Sequence, residues 1–178
     1  MSKYIDLIET FLTEEDWFYN TCKAEGGRVY LRAPFTAKHC HFDIVCDADD
    51  DDDLVMVFIY PTIYVPTDKQ SLIAELICRL NHHIILGNFE FDFADSVVRF
   101  KSVIDIEGAE LTSTLFFNLF KSALLTMDQS FPAFMALLYG NLSPQESTTL
   151  YLQKSQDKQP DDVKATISQD QSEESRLH

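Results

Sequence analysis

The sequence predicts an α+β fold: a helix, an antiparallel strand meander, a second helix, a β-hairpin, and C-terminal helices packed on the sheet. Three observations predict it. Apolar residues recur at helical spacing in separate blocks, short aromatic and β-branched runs lie between those blocks, and Gly, Asn or Pro punctuates the joins. A chain of 178 residues with 46% hydrophobic content is the size of one domain and can bury a sizeable core.

Tyr4, Ile5, Ile8, Phe11 and Leu12 form one apolar stripe behind Ser2, whose hydroxyl can accept a backbone hydrogen bond as N-cap, so the chain opens with an amphipathic helix. Four strands follow, over residues 17–23, 28–33, 39–47 and 54–60. Gly26-Gly27 supplies the positive φ of a tight turn between the first two, and the acidic run 48–53 separates the last two. In the third run Cys40, Phe42, Ile44 and Cys46 alternate with mostly polar neighbours, which predicts one wet face. The fourth is almost continuously apolar, as in a central strand covered on both sides.

Leu72, Ile73, Leu76, Ile77, Leu80, Ile84 and Ile85 predict a second helix over 72–86, stopped by Gly87-Asn88. Phe89, Phe91 and Phe93 alternate with Glu90 and Asp92, and with residues 98–106 they read as a hairpin. Leu111 to Met127 carries a long apolar helix face, and Ser130-Phe131-Pro132 restarts a short helix that ends at Gly140-Asn141. Beyond, Gln, Ser, Asp, Lys and Glu dominate. The expected division is an α+β domain over 1–142 and an acidic, polar, disordered tail over 143–178.

Lys+Arg 14 against Asp+Glu 29 gives a net charge of -15, which repels phosphate backbones and argues against nucleic acid. Residues 1–11 contain Asp6 and Glu9 and no long apolar run, so neither a signal peptide nor a membrane span is expected. Cys22, Cys40, Cys46 and Cys78 are too few and too irregular for a disulfide framework and read as reduced, small apolar groups. A cytoplasmic protein without membrane association is the expectation.

No constellation points to catalysis. His39-Cys40-His41 with Cys46 resembles a metal set until strand alternation is applied, which sends both histidines to one face and both thiols to the other. His39 and His41 alone make a weak surface pair, so no metal or other cofactor is expected. His82 and His83, adjacent on a helix, should point about 100° apart. The acidic run from Asp47 fails the calcium-loop pattern, because the positions that need Gly and Glu hold Asp52 and Phe58. Arg28 with Arg32, and Arg99 with Lys101, read as exposed cations paired with nearby carboxylates. The acyl-transfer elbow, the phosphate-cradling loop and the metalloprotease motif are all missing, so no catalytic residue is assigned.

The segment Ala74-Glu75-Leu76-Ile77-Cys78-Arg79-Leu80-Asn81, followed by Leu86-Gly87-Asn88-Phe89-Glu90-Phe91-Asp92, resembles the signature of the YbjN-like family, the bacterial sensory transduction regulators. The likeness covers roughly residues 2–144. It implies a type III secretion chaperone-like fold, a homodimer, and no established catalytic residues; residues 17–23 are then one additional leading strand. The expected activity is a non-catalytic, chaperone-like or regulatory adaptor that presents a sheet face and a helix surface to a protein client. The alternative is a small-ligand or metal-sensing domain. The candidate partner or dimer surface comprises Arg79, Asn81, His82, Phe89, Phe91 and Phe93.

Overall fold

A computed structural model describes residues 2–156. Helix α1 (Lys3–Glu14) leads into β1 (Asn20–Lys23), β2 (Val29–Thr36), β3 (His41–Asp49) and β4 (Leu54–Pro61). A 3-10 turn at Thr67–Lys69 precedes α2 (Gln70–Asn81), and the hairpin of β5 (Asn88–Asp92) and β6 (Val97–Asp105) comes next. Helices α3 (Ser113–Leu138) and α4 (Pro144–Gln156) complete the described chain.

All six strands form one antiparallel sheet in the order β1-β2-β3-β4-β6-β5. The α+β architecture is therefore as expected, with the C-terminal helices on the sheet and the leading strand as one of its edges. Helix α1 packs against β2, β3 and α3, while α3 crosses β4 and β6. Their shared core is aromatic: Phe11 meets Phe116 edge-on at 5.1 Å, and Phe89 meets Phe100 at 5.0 Å and Phe134 at 5.1 Å. Ser2 caps α1 as expected, its hydroxyl accepting from the Ile5 N–H at 3.2 Å.

Four expectations are corrected. Strand β4 is not covered on both sides: Val55, Val57, Ile59 and Pro61 are buried beneath the helices, but Leu54, Met56, Phe58 and Tyr60 lie half-buried on the opposite face. Helix α2 stops at Asn81 instead of continuing to 86, because Asn81 turns its side chain to the backbone of β5, as described below. Helix α3 is continuous through Pro132. The missing N–H removes one hydrogen bond, to the Asp128 carbonyl, while buried residues on both sides of the proline (Met127, Phe131, Ala133, Phe134 and Leu137) hold the helix together.

The fourth correction is α4, which occupies 144–156 where an unstructured tail was expected from 143. Ser143 and Glu146 form a reciprocal capping box, the Ser143 N–H donating to Glu146 Oε2 at 2.9 Å and the Glu146 N–H to Ser143 Oγ at 3.2 Å, with Pro144 opening the helix. The helix packs on α2 and α3 and buries Ser147, Thr148 and Tyr151. The rest of the predicted tail, 157–178, lies outside the described residues.

The acidic turn between β3 and β4 has a structural task. Asp50 accepts from Ser2 Oγ at 2.8 Å and from the Lys3 N–H at 3.1 Å, and Asp53 accepts from Lys3 Nζ at 3.0 Å and from the Tyr4 hydroxyl. Carboxylates at the positive end of α1 hold that helix on the sheet.

Candidate protein-binding surface

The end of α2 and the free edge of β5 form one structural unit. Antiparallel pairing with β6 satisfies alternate backbone groups of β5, and the Phe89 N–H and C=O face the other way, toward the open edge. The Asn81 side chain meets both: its Oδ1 accepts from Phe89 N–H at 2.8 Å and its Nδ2 donates to Phe89 O at 3.0 Å. A side-chain amide carries a donor and an acceptor in the same arrangement as a peptide group, so Asn81 acts as one residue of a missing seventh strand.

The neighbouring Gly87 is fixed by geometry. Its φ is +77°, and a Cβ there would fall 2.6 Å from Phe100 Cζ and 2.7 Å from the Lys101 carbonyl oxygen. The turn between α2 and β5 thus needs a residue without a side chain. In the same turn Ile85 is 94% exposed and Leu86 61% exposed. At the other end of β5, Phe93 is 57% exposed and stacks edge-on with half-buried Phe91 at 4.8 Å, beside partly exposed Val97. Gln70 Nε2 donates to Ser96 Oγ at 2.8 Å and ties the start of α2, with its exposed Leu72, to this hairpin.

Of the six candidate surface residues, four remain accessible. Arg79 is ion-paired with Glu75 one turn earlier at 2.8 Å. His82 lies past the end of α2 and its ring meets His83 edge-on at 5.0 Å; the expected 100° divergence fails because both residues sit in the turn instead of the helix. Phe91 and Phe93 line the hairpin. Asn81 is committed to the backbone of β5, and Phe89, 2% exposed, is a core residue. Ile85, read from periodicity as part of a helix face, and Leu86, placed at the end of that helix, carry the largest apolar exposure in this region.

The histidines of the β2–β3 turn do not share a face as expected, because regular strand geometry begins only at His41. The His39 N–H donates to Asp128 Oδ1 at 2.9 Å and its Nδ1 lies 3.1 Å from Asp128 Oδ2, while His41 Nδ1 lies 2.8 Å from Thr36 Oγ1. His39 thus ties this turn to the middle of α3. Burial pushes the Cys46 thiol up to about 12, and burial also raises Cys40, leaving both as neutral packing groups. Among the described residues no group of three or more His, Cys, Asp or Glu is placed to hold a metal ion. A shallow cleft between Tyr64 and Tyr139 is lined otherwise by Pro61, Thr62, Ile63 and Met135, and presents no acid–base pair. No described helix is long and apolar enough to cross a membrane.

Residues 4–136 match the model of a family, YbjN, described as "Putative bacterial sensory transduction regulator". A solved structure, described as YbjN, "a putative transcription regulator from E. coli", is similar over 85% of this chain and 90% of that one, with 12% identity and a TM-score of 0.45. No curated protein sequence matches the chain.

Proposed function

The chain belongs to the YbjN family, and from that premise we propose that it is a regulatory module that works by binding a protein client and performs no catalysis. The observation that carries this reading is the exposed apolar border of the β5 edge, Ile85, Leu86 and Phe93, on a chain of net charge -15. Large apolar side chains exposed at both ends of one sheet edge favour a protein partner, and the surrounding negative field favours a cationic one. The client is therefore a basic, amphipathic segment whose apolar side meets Ile85, Leu86 and Phe93. Asn81 occupies the β5 backbone at Phe89, which leaves side-chain contacts, and not strand addition, as the main mode.

The test is titration of a designed amphipathic Leu/Lys helix into the full chain, followed by fluorescence or calorimetry. The expected result is salt-sensitive binding that weakens about tenfold or more in Ile85→Asp, the order of change expected for losing a central apolar anchor. Binding that is equal in Ile85→Asp, Phe93→Asp and the parent chain would refute this surface as the docking site.

A further inference from the structure

The two edges of the sheet are finished differently. Asn81 fills the β5 edge at Phe89, whereas β1, the opposite edge, is exposed at Asn20, Thr21 and Lys23. The direction of its backbone groups follows from the turn into β2. The Ala24 N–H donates to the Arg28 carbonyl at 2.8 Å, and the register carries that pairing to Cys22 with Tyr30 and to Asn20 with Arg32. Thr21 and Lys23 therefore turn their N–H and C=O groups outward, and among the described residues no protein group meets them. Phe18 falls level with Pro34 as the same register continues. Pro34 has no N–H to offer, so the ladder ends there, and Phe18 is 70% exposed.

The side chains beside this open row are ordered too. Thr21 pairs with buried Leu31 and so lies on the helix-covered face, where its hydroxyl donates to Glu9 Oε1 at 2.9 Å. Glu9 is half-buried and forms no ion pair among the described residues, whereas Asp43, Asp47 and Glu90 are all ion-paired. Glu25, exposed in the β1–β2 turn, is likewise without an ion pair among them. Lys23 is the one cation on β1. An incoming strand thus meets two free peptide groups, an uncompensated carboxylate beside the first, a cation beside the second, and an exposed aromatic ring at the head.

We infer that β1 takes an extended peptide by antiparallel strand addition, with an arginine of that peptide meeting Glu9. Residues directly opposite in an antiparallel pair share a face. The peptide residue level with Thr21 therefore points its side chain toward Glu9 while its own N–H and C=O meet those of Thr21. The residue level with Lys23, two places earlier in the peptide, is neutral or acidic, since a second cation there would be repelled. The residue level with Phe18, three places later, is apolar. The preferred segment thus reads neutral-x-Arg-x-x-apolar. This mode differs from the side-chain docking at the β5 border, and the two sites lie on opposite edges of the sheet, so each stands without the other.

The test is titration of the capped peptide Thr-Val-Arg-Val-Thr-Val into the full chain, with amide exchange read residue by residue by NMR. At a free peptide concentration about ten times the dissociation constant, the Thr21 and Lys23 amides should exchange about tenfold more slowly, while Cys22, already bonded to β2, should not change. N-methylation of the peptide's arginine, whose amide faces β1, should weaken binding about tenfold or more. N-methylation of the valine after it, whose amide faces solvent, should leave the affinity within about twofold. Glu9→Gln keeps the acceptor for Thr21 and removes the charge, so it should weaken the arginine peptide about two- to fivefold and leave a peptide with glutamine in place of arginine unaffected. Thr21→Pro removes an outward N–H without touching the ladder to β2 and should abolish binding. Thermal unfolding checks that this variant is folded, and the N-methyl pair decides the matter if it is not. Equal affinities for the two N-methyl peptides, unchanged exchange at Thr21 and Lys23, or no binding at about 1 mM peptide would overturn the inference. So would binding lost in Ile85→Asp and kept in Thr21→Pro, which would leave the β5 border reading intact.

Discussion

Replacing Asn81 by Ala tests whether one amide closes the edge of the sheet. The substitution removes the acceptor 2.8 Å from the Phe89 N–H and the donor 3.0 Å from its carbonyl. Two hydrogen bonds at about 1 kcal/mol each give a loss of about 2 kcal/mol, and the better helix propensity of Ala returns about 0.5 kcal/mol, leaving about 1.5 kcal/mol. For a domain of this size each kcal/mol moves the melting temperature by about 2–4 °C, so a fall of about 3–6 °C is expected. Asn81→Asp should lie between the two, since it keeps the acceptor for the N–H but turns a second oxygen toward the Phe89 carbonyl. Urea unfolding followed by circular dichroism gives the free energy, and hydrogen exchange gives the site: the Phe89 amide should exchange faster in Asn81→Ala while Phe100 and Val98, in the neighbouring strand, stay protected. Unchanged exchange at Phe89, or a loss below about 0.5 kcal/mol, would mean that water serves the edge as well as Asn81 does and that the strand-mimic argument is wrong.

Three other perturbations probe the framework of the molecule. Gly87→Ala combines a φ of +77° with contacts of 2.6 and 2.7 Å, and should cost about 2–4 kcal/mol in urea unfolding; a near-neutral result would show that the turn can move away from Phe100. Asp128→Ala releases both contacts to His39 and should destabilise by about 2–3 kcal/mol, with Asp128→Asn losing less because its oxygen still accepts the His39 N–H; equal losses would rule out the backbone contact as the main one. Burial opposes ionisation of Glu90, but hydrogen bonds from Lys101 and Arg99 outweigh it and hold the carboxyl below its usual range. A depressed carboxyl stabilises the fold above its unfolded value of about 4.3 and ceases to do so as pH falls through the lower folded value, so Glu90→Gln should be less stable than the parent at neutral pH and converge with it in acid. A stability gap that widens toward acid would contradict that sign.

Elements stabilised by their own pattern were legible in the sequence. Helix α1 joins a 3.6-residue apolar period to a hydroxyl cap, and β3 alternates cleanly with Phe42, Ile44 and Cys46 buried. Local rules failed where distant contacts decide. Pro132 reads as a helix break until the core on both sides of it is known, and His39 meets Asp128 across 89 positions of sequence that no spacing rule connects. Helix α4 was hidden by composition: it buries Ser147 and Thr148 in place of aliphatic side chains, and Thr148 satisfies its hydroxyl on the Pro144 carbonyl at 2.8 Å. Its capping box, Ser143-Pro144-Gln145-Glu146, was nonetheless a readable signal. In the candidate surface, periodicity could not distinguish Phe89 in the core from Phe93 outside it, because both follow the same alternation.

The continuous apolar run of β4 has two physical causes that a one-dimensional pattern cannot separate. Its inward half, Val55, Val57 and Ile59, is explained by the helices above it, and burial of those three side chains is what the fold requires. Its outward half, Met56, Phe58 and Tyr60, is only half-buried, covered in part by Arg99, which stacks over Phe58 at 4.8 Å and reaches Tyr60. A solvent-facing strand gains nothing from three large apolar groups in a row and becomes more prone to nonspecific association. The charges on the neighbouring strands, paired within the chain as Arg32–Asp43, Arg28–Asp47 and Glu90 with Arg99 and Lys101, flank this stripe and reduce that risk.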